Sequence, residues 1–388
     1  MHTFWIIIQL FVSFSLWFPL ILFCIAALSK ATKKKGADLD FSSDFGVIVT
    51  AYQQVDFIED VVNSILKNRY PHYLIYVVAD ACDVSTLNFS SDRVVVLRPE
   101  NNLSSNAKSH FFAINHFKRE HNVITIIDSD NLIDEDYLEK MDLVFRKGFK
   151  AVQGVRKARN LETVYARLDE AGDIYYRFVD RKLLFDAGSS ASLAGSGMGF
   201  LTETFVSCLA GFDKTGAGFD KFLQYELLNR NYRIAFDEDV VVYDGKTSKS
   251  DQLVKQRARW INTWFKYWVL GITLFVKSIL GLNWNQFAFS VMLLRPPLFL
   301  LFSSAGIIMA LDLIFTPSLL WIWASAFLIF FFMFFIALQY FKADKRIYKS
   351  LMQTPKFVFC QIKALFRAGA ANKLSVATRH ELPSYNKK

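Results

Sequence analysis

Apolar residues come along this chain in three rhythms. Residues 45–51, 74–80, 94–97 and 123–127 are short, largely apolar runs that read as strands, and 123–127, with four β-branched aliphatics in five residues, carries the signature of a strand buried on both faces. Between them the spacing turns helical. Phe57, Ile58, Val61, Val62, Ile65 and Leu66 mark one face, behind Asp56 and Glu59 spaced as a capping box, and a second helix is expected over 105–117. Further on, Leu138, Met141, Val144 and Phe145 predict a helix over 134–145, and 162–185 reads as one long amphipathic helix. Short strands are expected at 151–154, 232–236 and 240–243. Strand and helix in alternation predict an α/β fold with a largely parallel, doubly wound sheet.

The third rhythm is long and predominantly apolar. Residues 4–28 exceed the roughly 20 needed to cross a bilayer, and 287–315 and 319–341 are long enough too, joined by a short turn at Thr316 and Pro317. A cleaved signal peptide fits the first run poorly, since no basic region precedes it and lysines follow it. Residues 261–280 mix Trp264, Phe265, Tyr267 and Trp268 with Lys266 and Lys277, as a helix lying in the bilayer interface would, and 357–366 looks similar. Arg295 interrupts the second span before Pro296 and Pro297; it is read as snorkelling to the interface, with a polar path through the protein as the alternative.

Composition agrees with a membrane protein: 53% of residues are hydrophobic and 39 are Phe. The net charge of +9 would suit nucleic acid, but its distribution argues for a bilayer and no nucleic acid. Lys30, Lys33, Lys34 and Lys35 crowd the exit of the first span, and Lys342, Lys345, Arg346 and Lys349 the exit of the last. Positive-inside bias then puts the amino terminus outside an inner (cell) membrane and both clusters in the cytoplasm. The expected division is a transmembrane helix at 1–30, a basic linker at 31–44, a cytoplasmic domain at 45–260, an interface region at 261–286, two spans at 287–341 and a basic tail at 342–388 with an interface helix. Cys24, Cys82, Cys208 and Cys360 have no metal-ligand spacing, and neither disulfides nor zinc is implied.

Chemistry enters at the end of the fourth strand, where Asp128 and Asp130 stand one residue apart. At the carboxyl end of a parallel strand, two such carboxylates can hold a divalent cation whose other positions go to water and phosphate oxygens. The same acids could merely cap the next helix. Gly195, Gly197 and Gly199 mark a stretch where backbone passes close to something.

Taken together, residues 45–260 resemble the family 2 glycosyltransferases, in particular the membrane-embedded branch with cellulose and hyaluronan synthases. The resemblance implies a GT-A (Rossmann-like) sheet domain inserted between transmembrane helices. Ala51 and Tyr52 fall in the opening nucleotide motif, although Gln53 and Gln54 depart from its usual Asn-Glu. Asp80 falls where the family recognises uracil and Lys108 where a lysine meets the nucleotide. Asp128, Ser129 and Asp130 match the DXD motif, with Asp130 the metal ligand. Gly197 and Met198 match the segment lining the acceptor sugar. Asp220 matches the catalytic base, with Phe219 in place of the usual Glu, and Gln256, Arg259 and Trp260 reproduce QxxRW.

These residue types suit the chemistry in their own right. Charge building on a departing diphosphate is met by a cation, Mg²⁺ or Mn²⁺, with Lys108 and Arg259. A carboxylate such as Asp220 can take the proton of the attacking hydroxyl. Trp260 offers a face for a sugar ring, and Gln256 can hydrogen-bond either partner. The resemblance thus implies an inverting glycosyltransferase moving sugar from a nucleotide donor, expected to be UDP-linked, to a growing glycan in cell-surface polysaccharide synthesis. Single-sugar transfer to a polyprenyl-phosphate or lipid-linked acceptor is the alternative, and a non-catalytic nucleotide- or polymer-binding subunit is the rival of another class. Three spans make a small pore, so export would call for an oligomer or a partner.

Overall fold

The computed structural model describes residues 2–29, 41–85, 87–213 and 217–370 of the 388. Most of the expected basic linker and the last 18 residues of the tail lie outside the described residues. The four β-branched-rich runs become β1 (Phe45–Tyr52), β2 (Tyr73–Asp80), β3 (Val94–Leu97) and β4 (Val123–Asp128). They pair in parallel in the order β3-β2-β1-β4. Residues 123–127 are at most 1% exposed, which is why both faces of β4 had to be apolar. Its one polar member, Thr125, is satisfied by the Tyr137 hydroxyl at 2.9 Å and the Met198 carbonyl at 3.0 Å.

The chain leaves β1 on one side toward β2 and returns on its other side as β4. That reversal opens a crevice at the carboxyl ends of β1 and β4, where Thr50 is in register with Asp128. Helices α2 (Ile58–Leu66), α3 (Asn106–Asn115) and α4 (Tyr137–Arg146) supply crossovers and cover. The expected capping box does not form: α2 begins at Ile58 with Phe57 at its N-cap and no side-chain cap, and Asp56 turns to the crevice instead.

Beyond β4 the sheet is mixed. β5 (Leu132–Ile133) pairs antiparallel with β8 (Ile234–Asp244), β6 (Ala151–Ala158) pairs parallel with β8, and β7 (Met198–Leu201) runs antiparallel between β4 and β6. The two strands expected at 232–243 are one continuous strand. The glycine-rich stretch is the entry to β7. A Cβ on Gly199 would lie 2.4 Å from the Met141 sulfur, and one on Gly197 3.0 Å from Val242, so these glycines let backbone approach the sheet's own cover.

The long helix expected at 162–185 is α5 (Val164–Tyr176), a π-helical turn (Arg177–Leu183) and α6 (Leu184–Asp186) in unbroken succession. After α7 (Thr202–Cys208) and α8 (Phe219–Asn229), the QxxRW residues and the expected interface helix fuse into one 31-residue helix, α9 (Ser250–Leu280). Helix α10 (Trp284–Leu294) folds back against it.

Among the described residues three helices are long and apolar enough to cross a membrane: Thr3–Leu28 within α1 (His2–Leu28), α11 (Leu298–Phe315), and Pro317–Tyr340, which contains α12 (Leu320–Tyr340). The second expected span is therefore shorter than residues 287–315, because the chain breaks at Arg295, Pro296 and Pro297 before α11 starts. Near the far end of α11, Asp312 gathers the bundle. It accepts from Trp5 and Gln9 of α1 at 3.1 and 2.9 Å, from Trp323 of α12 at 2.8 Å, and from the Thr316 hydroxyl. After α12 the described residues continue through α13 (Lys345–Ser350) and α14 (Thr354–Arg367), the latter packed on α9.

Candidate active site

A cavity of about 640 Å³ runs from the carboxyl ends of β1 and β4 to the start of α11. Its sheet end is lined by Thr50, Tyr52, Asp128, Ser129 and Asp130. Alternation explains the first pair: Thr50 and Tyr52 project to one face of β1, whereas Ala51, 2% exposed, projects to the other and does not line the cavity.

Asp80 does not reach the cavity either. It is 1% exposed, and its two carboxylate oxygens accept from the backbone N–H of Leu103 (2.9 Å) and Ser104 (2.7 Å). It thereby holds in place the turn in which Ser104, at φ 49°, presents a hydroxyl 3.2 Å from that of Tyr52. Asp80 shapes the wall from behind. Lys108, half-buried in the first turn of α3, is absent from the lining although Asn106 and Ala107 are in it. Gly197 and the fully buried Met198 belong to the sheet, while Leu193, Ala194 and Gly195 just before them line the cavity.

The opposite wall is built by α8 and α9. Gly218, in the left-handed region at φ 92°, lets the start of α8 lie against α9: a Cβ there would sit 2.5 Å from the Tyr267 ring. This close approach brings Asp220, in the first turn of α8, into the same cavity as Gln256, Arg259 and Trp260. Lys221 stands 4.0 Å from the Asp220 carboxylate. The Trp260 ring is 49% exposed and carries the Arg257 guanidinium 4.3 Å above it, and Gln256 accepts a hydrogen bond from Thr247 at 3.2 Å. Phe219 borders the cavity too, 6% exposed, and packs its ring edge-on against His110 at 4.9 Å.

Of the residues named from the sequence, then, the cavity unites Tyr52, Asp128, Ser129, Asp130, Asp220, Gln256, Arg259 and Trp260. Ala51, Asp80, Lys108, Gly197 and Met198 lie outside its lining.

Between these walls lies a group of charges that no motif had singled out. Lys246 is the hub, within 2.9 Å of Asp173, 3.1 Å of Asp244 and 3.2 Å of Glu170. Arg156 holds Asp244 at 2.5 Å, Arg177 holds Glu170 at 3.1 Å, and Arg257 pairs with Asp169. Burial alone would raise the carboxyl of Asp173; Lys246, Arg181, Arg177 and Arg156 around it hold it well below the usual range. Glu170 goes the other way, raised by burial that its cations do not fully offset.

Arg295 joins this group. It is 6% exposed, lines the cavity and donates to Asp180 at 2.5 Å, so it does not snorkel to the interface as expected. Its recognisable partner was Asp180 in the long helix. Asp173, Arg177, Asp180 and Arg181 recur there at three- and four-residue steps, a charged stripe that a sequence presents in the same way as a solvated face.

Among the described residues no three His, Cys, Asp or Glu side chains gather closely enough to cage a metal. Asp128 and Asp130, facing a roomy cavity, instead offer a partial set of hard oxygen ligands. That suits Mg²⁺ or Mn²⁺, which keep phosphate and water in the remaining positions.

A family model described as "Glycosyltransferase like family 2" matches residues 43–263. No curated protein matches the chain. Among solved structures, the mannosyltransferase PcManGT from Pyrobaculum calidifontis, in complex with GDP-Man and Mn²⁺, superimposes with a TM-score of 0.55 at 16% identity, covering 93% of this chain and 99% of that one. S. aureus TarS 1–349 in complex with UDP gives a TM-score of 0.40 at 17% identity over 60% of this chain and 65% of its own. At these identities the first likeness bears on the fold, which is GT-A.

Proposed function

This chain belongs to the glycosyltransferase-like family 2, and from that premise we propose that its cavity transfers a sugar, with inversion, from a nucleoside-diphosphate donor to an acceptor arriving from the membrane side. The observation that carries the reading is the single cavity joining the paired acids at the sheet to Asp220, Arg259 and Trp260 on the facing helices.

The donor diphosphate lies at Thr50, Tyr52 and the Asp128–Asp130 turn. A divalent cation, when bound, would be held there by Asp130 with Asp128 and supply positive charge against the diphosphate. Arg259 adds a fixed cation on the opposite wall, and Trp260 offers a flat apolar surface to a sugar ring. The acceptor hydroxyl attacks the anomeric carbon from the face opposite the leaving group. A new C–O bond forms as the bond to the diphosphate breaks, the electron pair leaves with the phosphate, and Asp220 takes the hydroxyl proton. One displacement inverts the anomeric centre.

Two features favour a lipid-borne acceptor over the growing free glycan that the QxxRW motif suggests. The cavity's far end is lined by Leu270, Met292, Leu293, Pro297 and Phe299, an apolar wall at the foot of α11. Helix α9 also exposes Phe265, Val269, Ile272, Val276 and Ile279 at helical spacing, and α14 exposes Phe359, Ile362 and Phe366. Such stripes suit helices half-sunk in a bilayer surface, with the catalytic domain on the cytoplasmic side as the lysine clusters indicate. The reading is tested by presenting radiolabelled UDP- and GDP-sugars to membranes containing the protein. Transfer from one of them, with an inverted linkage in the product, is expected; no transfer and no nucleotide binding with any donor would leave the non-catalytic alternative standing.

A further inference from the structure

One cation in the cavity is poorly served. Arg181, in the π-helical turn, lines the cavity yet is 6% exposed. Among the described residues its guanidinium makes no hydrogen bond, and its Nε and Nη1 are buried without an acceptor. The nearest carboxylate, Asp173, is 3.5 Å from Nη1 and is already engaged by Lys246 at 2.9 Å and Arg177 at 3.4 Å. Burying an arginine with its donors idle is unfavourable unless an anion arrives. Its neighbours behave differently: burial lowers the Arg181 guanidinium, whereas Arg156 and Arg177, also buried, are held up by Asp244 and Glu170.

The position says what kind of anion. One residue before it, Asp180 binds Arg295 at the break before α11, and five residues before it the Tyr176 hydroxyl accepts from the backbone N–H of Leu298, the first residue of that span, at 3.3 Å. Arg181 therefore belongs to the membrane end of the cavity, where the polar floor meets the apolar wall.

We propose that Arg181 receives the phosphate that links sugar to lipid in a glycosylated lipid-phosphate acceptor, whose sugar supplies the attacking hydroxyl and whose hydrocarbon lies along Leu270, Met292, Leu293 and Pro297. This rests on the transferase reading and adds to it the class of acceptor and the residue that selects it. A guanidinium fork matches two phosphate oxygens at once, and a charge-assisted pair of this kind is worth at least about tenfold in affinity.

The test uses the full chain in detergent micelles. Tryptophan fluorescence, reporting through Trp264 and Trp268 in the cavity lining, follows titration with a polyprenyl phosphate and with the uncharged polyprenol of the same length. The wild type is expected to prefer the phosphate by at least about tenfold; Arg181→Gln should lose that preference, and Arg181→Lys should keep part of it. Calorimetry with UDP and GDP is expected to show nucleotide binding unchanged in both variants. Equal binding of phosphate and alcohol by the wild type would overturn the proposal even if Arg181→Gln did not fold. So would an undiminished preference in Arg181→Gln, or a loss of nucleotide affinity there, which would turn Arg181 toward the donor. Millimolar inorganic phosphate should fail to displace the lipid; equal competition would make this a site for free phosphate. A wild type that transfers sugar but shows no phosphate preference defeats this inference alone, whereas a wild type that binds no nucleotide defeats the transferase reading.

Discussion

Gly218 and His110 show how much of the site's geometry rests on groups that supply no reacting atom. With φ at 92° and a would-be Cβ 2.5 Å from Tyr267 and 2.8 Å from Thr263, Gly218 admits no side chain without moving α8 off α9. Gly218→Ala should cost about 1–3 kcal/mol through backbone strain and crowding. Because Asp220 rides on the displaced turn, transfer should fall more than donor affinity does, and initial rates set beside nucleotide binding check this. His110 is buried at 1% exposure against Phe219 and Phe205, its ring nitrogens unbonded, and burial pushes it down from 6.5 to about 3. It therefore stays neutral in the folded protein while the unfolded chain takes up a proton below 6.5. Its contribution to stability is full above that pH and is lost as pH falls toward 3, amounting to about 2 kcal/mol by about pH 5. Chemical unfolding at pH 7.5 and 5 should show that loss in the wild type and a smaller one in His110→Leu.

Among the helices, ionic and polar contacts do what strands do in the sheet: they fix which element lies beside which. Arg295→Met should destabilise the fold by about 3–5 kcal/mol, because Asp180 is left as a buried carboxylate without its cation. The double change with Asp180→Leu should recover most of that, and thermal unfolding in detergent reads both. Asp312→Leu strands the indole and amide donors of Trp5, Gln9 and Trp323 within the bundle and should lower its melting temperature, while Asp312→Asn, which keeps a carbonyl acceptor, should lower it less. Sequence periodicity exposed some of these elements and hid others for definite reasons. The strands β1, β2 and β4 were readable because burial on both faces demands largely apolar runs, and the half-buried edge strand β3 because all four of its residues are Val or Leu. Strand β7 was not, because glycines chosen for close approach carry no apolar rhythm. Helix α10 was hidden inside an apolar run that looked like one span, and only Arg295 and the two prolines marked the break.

Taken together, the described residues form a GT-A sheet domain set against three helices able to cross a membrane, and a cavity runs from the sheet to the start of α11. Half of that cavity could be read from the chain: Asp128, Asp130, Asp220, Arg259 and Trp260 each belong to a short local motif, and short motifs survive in sequence. The other half could not. Lys246 with Asp173 and Glu170, and Arg295 with Asp180, are 70 or more residues apart, and apart from Arg295, which stands out within an apolar run, each alone looks like an ordinary surface charge. Asp80 shows the reverse, a motif position whose carboxylate is spent on the Leu103 and Ser104 amides and so sits behind the wall. The claim on which the rest depends is that Asp220, across the cavity from the paired acids, takes the acceptor proton. Its most direct test is single-turnover sugar transfer by Asp220→Asn beside equilibrium binding of the same donor. Transfer reduced by about a thousandfold with donor affinity preserved is the predicted result; transfer at the wild-type rate, or loss of donor binding in step with activity, would contradict it.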